Sequence, residues 1–518
     1  MTVGWQSGPV SLLAPLALGL VSAFAFEPTG LWPLMPLAFA ALCELISRAA
    51  SLKQALLIGW LFGVGQFVLG HNWIATAFIY QAAIPAWLGW VAVVLLSLYL
   101  AVFPLLAAGL AWRIGRGKPI ALVLALAGAW ALTEWLRAGL FTGFAWNPVG
   151  VTLVPTPWLG VSAHIGTYGL SALVTLAGGA LWLAARRQWA AGGGLLAALS
   201  LSVLLPGADV PDGSDRLRFI RVVQPNIGQQ DKWRPGFSEE AARRLARLSM
   251  RPADDAPRLL FWPEAAVTEP LEDARSGEHR AFAEFERTRA AALVRPGEYL
   301  LTGGIALFAS DGRRIDGAAN SVFVIGQRGQ TLGRYDKAHL VPYGEYLPMR
   351  PLLSAVGLSR LAPGDIDFVP GPGPRTISLG YWGKVGFQLC YEIIFSGEVA
   401  DRANRPDFIF NPSNDAWFGA WGPPQHLAQA RLRAAEEGLP VIRSTPTGIS
   451  ALIDARGRVV DSIPLGRAGV IDGPFPPPAV SPTAFARAGN VIPIALGFLL
   501  IIAGIAVARS RRYSATAI

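Results

Sequence analysis

Apolar and polar positions divide the chain into three stretches. Residues 1–206 are almost uncharged and strongly apolar, residues 207–487 alternate apolar and polar positions like an ordinary globular domain, and the chain turns apolar again from 488. A helix needs roughly 20 apolar residues to cross a bilayer. By that rule the spacing predicts spans at about 10–26, 30–47, 54–75, 85–112, 119–137, 165–185, 190–206 and 489–508. The expectation is a polytopic membrane domain of about eight transmembrane helices with one α/β domain inserted before the last. Its parts are residues 1–206, 207–487 and 488–518. No basic segment precedes the first apolar run, so that run reads as a span and not as a cleaved signal peptide.

Composition agrees. Of 518 residues, 52% are hydrophobic and 15% charged, against about a quarter charged in soluble domains. The net charge of +9 is no sign of nucleic acid here, because Lys and Arg beside spans fix orientation. Arg48 and Lys53, then Arg113, Arg116 and Lys118, then Arg186 and Arg187, then Arg509, Arg511 and Arg512 all fall on one side if every span crosses. That side is cytoplasmic, and 207–487 lies outside. The uncharged 76–84 loop agrees.

Two polar features interrupt the spans. Glu134 and Arg137 share a helix face at i and i+3, either as a clamp at a helix end or facing substrate. Residues 138–150, with Phe141, Phe144 and Trp146, read as an interfacial or re-entrant loop with aromatic anchors.

In the outer domain, strands are expected at 217–223, 258–263, 298–306, 320–326, 384–390, 406–411 and 449–454. Helices are expected from Ser238 to Met250, with Ser238 as N-cap and Glu239 and Glu240 in the first turn, and at 278–294. Strands interleaved with helices indicate α/β layers. Glu264, Lys337 and Cys390 fall where strands end, which is where such folds place their chemistry. Cys43 lies in an apolar run, so a disulfide with Cys390 is not expected. Cys390 is then either an inert buried thiol or a nucleophile. As a nucleophile it needs a base, for which Glu264 is suited, while Lys337 and the Tyr391 N–H are suited to a developing oxyanion. Singly, Glu264 and Lys337 are as readily surface charges. His339, two residues from Lys337, offers a Cys–His pair instead, and spacing leaves the choice open.

The order Glu, Lys, Cys on an α/β domain resembles the nitrilase superfamily of carbon–nitrogen hydrolases. Within it, Tyr335-Asp336-Lys337-Ala338-His339-Leu340-Val341-Pro342-Tyr343-Gly344-Glu345-Tyr346-Leu347-Pro348 resembles the apolipoprotein N-acyltransferase family. So do Cys390-Tyr391-Glu392, Ser413-Asn414-Asp415-Ala416-Trp417-Phe418-Gly419, Gln224-Pro225-Asn226-Ile227 with Lys232-Trp233, and the membrane segments Glu134-Trp135-Leu136-Arg137 and Phe141-Thr142-Gly143-Phe144. The likeness runs over nearly the whole chain. It departs at Ala145, Asn147, Ser396 and Pro446, which bear on local loop shape.

The resemblance implies an α-β-β-α sandwich and eight spans. It implies Glu264 as general base, Lys337 as oxyanion stabiliser, Cys390 as nucleophile and Glu345 as a second essential carboxylate. Tyr391 and Glu392 would support them, and Trp233, Asn320 and Trp417 would meet substrate. The reaction implied transfers an acyl chain from a phospholipid, through a Cys thioester, to the amine of a diacylglyceryl-cysteine on an apolipoprotein at the bacterial inner membrane. Ester to thioester to amide runs downhill without a cofactor, and the sequence carries no nucleotide or zinc motif. Two other readings stand beside it: a membrane-tethered amidase that uses the same Glu264, Lys337 and Cys390 on small amides, and a transporter or scaffold with a degenerate outer domain. The extensive membrane part weighs against the first, and the intact reactive set against the second.

Orientation is directly testable. In intact cells, Gly115→Cys, Arg187→Cys and Arg511→Cys are expected to be shielded from an impermeant thiol reagent, and Ser276→Cys to be labelled. Labelling at 115 from outside would invert the topology.

Overall fold

The structure is a computed structural model that describes residues 12–80, 85–211, 215–232, 234, 236–250, 256–355 and 366–510. The chain separates into two compact units, one of residues up to Ala75, Ala86–Gly207 and Thr483 onward, the other of Thr76–Pro85 and Ala208–Pro482. The uncharged loop after the third apolar segment thus groups with the second unit.

The first unit is helical. Among the described residues, Leu52–Gly70, Leu88–Gly115, Pro119–Gly139, Pro157–Ala185 and Val491–Ser510 are long and apolar enough to cross a membrane. Leu13–Ala25, Leu34–Ser47 and Trp189–Ser202 are shorter apolar helices. Glu134 and Arg137 are both buried and hold the irregular segment that follows their helix. Glu134 Oε1 accepts from the Val149 N–H at 2.9 Å and from Trp130 Nε1 at 3.0 Å. Arg137 Nη1 donates to the Trp146 carbonyl at 2.9 Å, and its own carbonyl accepts the Phe144 N–H. This is the clamp. Trp146, expected as an interfacial anchor, is instead fully buried with its ring centroid 4.4 Å from that of Trp73. Phe141 is the aromatic that stays exposed.

The second unit is built on two sheets. The strands are β1 (Asp215–Gln224), β2 (Arg258–Phe261), β3 (Pro270–Asp273), β4 (Tyr299–Phe308), β5 (Gly317–Ile325), β6 (Thr331–Asp336), β7 (Thr376–Ser378), β8 (Lys384–Phe387), β9 (Phe408–Pro412), β10 (Val441–Ser444), β11 (Ser450–Ile453), β12 (Val459–Ile463) and β13 (Gly469–Phe475). One sheet runs β13-β1-β2-β4-β5-β6 with β3 beside β4; the other runs β12-β11-β10-β9-β8-β7. Each has a parallel centre, β1-β2-β4 in one and β8-β9-β10 in the other.

Side chains alternate across a strand, and β2 shows what that does. Leu259 and Phe261 point between the sheets, into a core with Val385, Phe408, Phe410 and Ile442. Leu260 and Trp262 point the other way, against helix residues Leu245, Ala290 and Ala291. Helices Phe237–Ser249 and Glu278–Ala291 thus cover one sheet, and the buried helix Gly422–Glu437 lies with the other. The layers are α-β-β-α. The first helix starts from Gly236, at φ 77°, without a side-chain cap. Ser238, expected as its N-cap, lies inside its first turn.

Phe261 is fully buried, with ring centroids 5.0 Å from Phe410 and 6.2 Å from Phe408. Phe261→Ala is expected to cost about 3–5 kcal/mol, measured by denaturant titration of the full chain in detergent micelles. A cost below about 1 kcal/mol would mean that the sheets close over the gap.

Candidate active site

Glu264 and Cys390 follow strands of the parallel centres, β2 and β8, and Lys337 follows the antiparallel β6. After β2, Pro263 leads into Glu264. The turn passes so close to β4 that a Cβ on Gly303 would lie 2.7 Å from Glu264 Cα and 2.6 Å from the Ala265 nitrogen. Glycine at 303 therefore admits the Glu264 backbone. Lys337 follows β6 directly, and its N–H donates to the Asn320 carbonyl on β5 at 2.9 Å.

These side chains meet. Lys337 Nζ donates to Glu345 Oε1 at 2.9 Å and lies 3.9 Å from Glu264 Oε1. Asn320 donates through Nδ2 to Glu264 Oε1 and to Glu345 Oε1, both at 2.8 Å. Both amide hydrogens of Asn320, expected to meet substrate, thus go to the carboxylates. Glu345 Oε2 accepts the Val341 N–H at 2.8 Å, which closes the loop after Lys337. Glu264 Oε2 is buried and accepts no hydrogen bond among the described residues. Burial weakens the hold of Lys337 on its proton, but the carboxylates of Glu345 and Glu264 outweigh it and raise its pKa. Lys232, also buried, faces Glu264 more weakly, so burial brings its pKa down to about 8.

Cys390 comes from the other sheet, three residues past β8, on an elbow with φ 54°. A non-glycine residue there needs outside support. Glu392 supplies part of it. Its Oε2 accepts the Leu389 N–H at 2.7 Å. Its Oε1 accepts the Ala338 N–H at 2.7 Å, the His339 N–H at 3.0 Å and the Tyr335 hydroxyl at 2.8 Å. One carboxylate therefore ties the elbow to the segment that carries Lys337. Burial raises the Glu392 pKa despite these donors. Burial first, then the Glu264 charge, raises the Cys390 thiol well above its ordinary value, while Lys337 and the Asn414 N–H pull it down less.

Glu264, Lys337, Asn320, Glu345 and Cys390 thus form one buried cluster, with Glu392 bracing the elbow that carries Cys390. The His339 ring, the other candidate base, stacks on Phe395 at 3.8 Å. Tyr391 packs edge-on against Phe395 at 5.2 Å. Trp417 meets Tyr80 edge-on at 5.7 Å. Trp233 lies outside the described residues. Ser396, one of the departures, donates to the buried Glu436 at 2.9 Å. Sequence reasoning missed His426, whose ring reaches the Cys390 carbonyl at 3.1 Å.

Comparison with known proteins gives the class first. Residues 219–485 match the family Carbon-nitrogen hydrolase, and residues 18–180 match the Apolipoprotein N-acyltransferase N-terminal domain. The apolipoprotein N-acyltransferase of Rhodopseudomonas palustris is 36% identical over 96% of this chain and 95% of its own length. That of Bradyrhizobium diazoefficiens is also 36% identical, over 97% of this chain and 96% of its own. The chain belongs to the apolipoprotein N-acyltransferase family. With its apolar helices, it is a bacterial membrane protein.

The raised pKa fixes a sign. A thiol held above its ordinary value, about 8.5, is protonated at neutral pH. Alkylation of Cys390 by iodoacetamide is therefore expected to keep accelerating as pH rises through 8.5. Levelling below pH 8 would reveal a preformed thiolate.

Proposed function

We propose that the chain moves an acyl chain from a phospholipid to the α-amine of an N-terminal diacylglyceryl-cysteine on an apolipoprotein, through a thioester on Cys390. Eight spans in 1–206 and 488–518 hold it in the inner membrane, with the catalytic domain of 207–487 on the periplasmic side. Each buried CH₂ of the substrates favours lipid by about 0.8 kcal/mol, so a site for such chains belongs at a membrane.

The observation that carries the reading is the asymmetry of Glu264. One oxygen is engaged by Asn320 and lies near Lys337, while the other is buried without a partner in the cluster that holds Cys390. A buried thiol with a raised pKa needs a base, and a free carboxylate oxygen is one. Glu264 takes the Cys390 proton as sulfur attacks the ester carbonyl. Negative charge grows on the carbonyl oxygen and is met by the Lys337 ammonium and the Tyr391 N–H. Collapse breaks the ester C–O bond, and the glycerol oxygen leaves with the proton from Glu264 as lysophospholipid. The lipoprotein amine then attacks the thioester and gives a proton to Glu264. The C–S bond breaks, sulfur recovers its proton, and the amide departs. Glu345 positions Lys337, and Asn320 holds the two carboxylates in register. By the family resemblance, Trp417 and Trp233 are assigned to meet substrate.

Incubation with a fluorescent phospholipid is expected to leave lipid on Cys390, which a small-amide hydrolase would not do. Cys390→Ser should lose turnover. Lys337→Met and Glu264→Gln should each prevent the thioester from forming, with losses on the order of 10²–10³ in rate. If His339→Ala blocks the thioester while Glu264→Gln forms it normally, the base is His339 and the assignment fails.

A further inference from the structure

A second buried network reaches Cys390 through its backbone. His426, in helix Gly422–Glu437, is fully buried. Its Nε2 lies 3.1 Å from the Cys390 carbonyl oxygen. A carbonyl only accepts, so Nε2 carries a hydrogen. Nδ1 lies 2.9 Å from Asp415 Oδ1 and 3.1 Å from Arg443 Nη2. Arg443 Nη2 donates to Asp415 Oδ2 at 2.5 Å, and Nη1 to Asn411 Oδ1 at 2.5 Å and Ser413 Oγ at 2.9 Å. Asp415 and Arg443 are themselves buried. Burial, then the Arg443 charge, lowers the His426 pKa against the opposing pull of Asp415. Nδ1 sits between the Asp415 carboxylate and the Arg443 guanidinium, and the hydrogen on Nε2 is required by the carbonyl in either protonation state of the ring. Protonation would add a hydrogen at Nδ1 and leave the Nε2 donor in place.

Two other roles are disfavoured. As a base His426 lacks a free lone pair, because Nε2 is protonated and Nδ1 faces a guanidinium. As a metal site, Cys390, Asp415 and His426 do bring ligand atoms within 4.8 Å of one another. Yet both Asp415 oxygens are engaged, and Arg443 places a positive charge where a cation would need to sit.

What remains is geometry. In a planar trans peptide the C=O and N–H point in opposite directions. Holding the Cys390 carbonyl toward His426 therefore aims the Tyr391 N–H away from it. We propose that His426 is a positioning residue that locks the Cys390–Tyr391 peptide so that the Tyr391 N–H meets the oxyanion, with Asp415 and Arg443 holding the ring. Glu392 fixes the N–H entering the elbow, and His426 fixes the carbonyl leaving it. This role rests on the acyl-transfer reading above.

The test compares His426→Asn, which keeps a polar atom near Nδ1 but loses the Nε2 donor, with His426→Gln, whose amide can reach the Cys390 carbonyl. Both are made in the full chain in detergent. Two rates on Cys390 are measured: thioester formation from a phospholipid, and alkylation by iodoacetamide, a displacement that builds no oxyanion. His426→Asn is expected to slow the thioester on the order of 10²-fold, as for one lost oxyanion donor, with KM and alkylation near native. His426→Gln should recover most of the loss. Alkylation falling in step with acylation overturns the role in favour of a base or a collapsed elbow. Native-rate acylation by His426→Asn, or equal loss in both variants, also overturns it. A native protein that forms no thioester overturns the acyl-transfer reading, and this role with it.

Discussion

A buried ammonium must be neutralised where it sits, since an unpaired charge in the interior costs several kcal/mol. Lys337, 1% exposed, imposes that condition on the outer unit. Glu345 answers it by direct contact and Glu264 from slightly farther, and one amide, Asn320, holds both carboxylates. Counting Lys232, two carboxylates face two ammonium groups while the Cys390 thiol is neutral. Moving its proton to Glu264 turns one carboxylate into an acid and one thiol into an anion, so the local sum is unchanged. In the proposed reaction, a proton passed within the cluster would expose no net charge to a low-dielectric interior.

The sequence made part of this visible. Glu264, Lys337 and Cys390 stood out because reactive residue types followed β-rich runs, and the strands do end there. The bracket made by Asn320 was not legible. Its partners are 56 and 25 residues away and meet it only once β2 and β5 lie in one sheet. His426 was missed although a signal existed. Along helix Gly422–Glu437, His426, Gln429, Arg433 and Glu436 recur at helical spacing, and all are buried. That stripe would read as a solvated face, and it instead holds polar groups bonded internally. Ser238 misled for a local reason: Gly236 takes the left-handed backbone at the helix start, which leaves the serine inside.

In the membrane unit, the i, i+3 spacing of Glu134 and Arg137 correctly gave one shared face. It did not give their partners, which are backbone groups of the segment that follows. Irregular backbone at such a place must have its N–H and C=O groups satisfied by protein, and these two residues do that. The aromatic residues there divided unexpectedly because loop residues lack the periodicity that assigns a side chain to water or to core. The strands β3, β6, β7, β10, β12 and β13 also went unread.

The clustered residues arrive from opposite sheets: Glu264 and Lys337 from one, Cys390 from the other. The aromatic layer between the sheets, Phe261 against Phe408 and Phe410, therefore works as a shim whose thickness sets the gap between the two halves of the cluster. Packed sheets stand about 10 Å apart, while a hydrogen bond tolerates only a few tenths of an ångström. Hydrostatic compression or a thinned shim would throw the two halves out of alignment while both sheets were still intact.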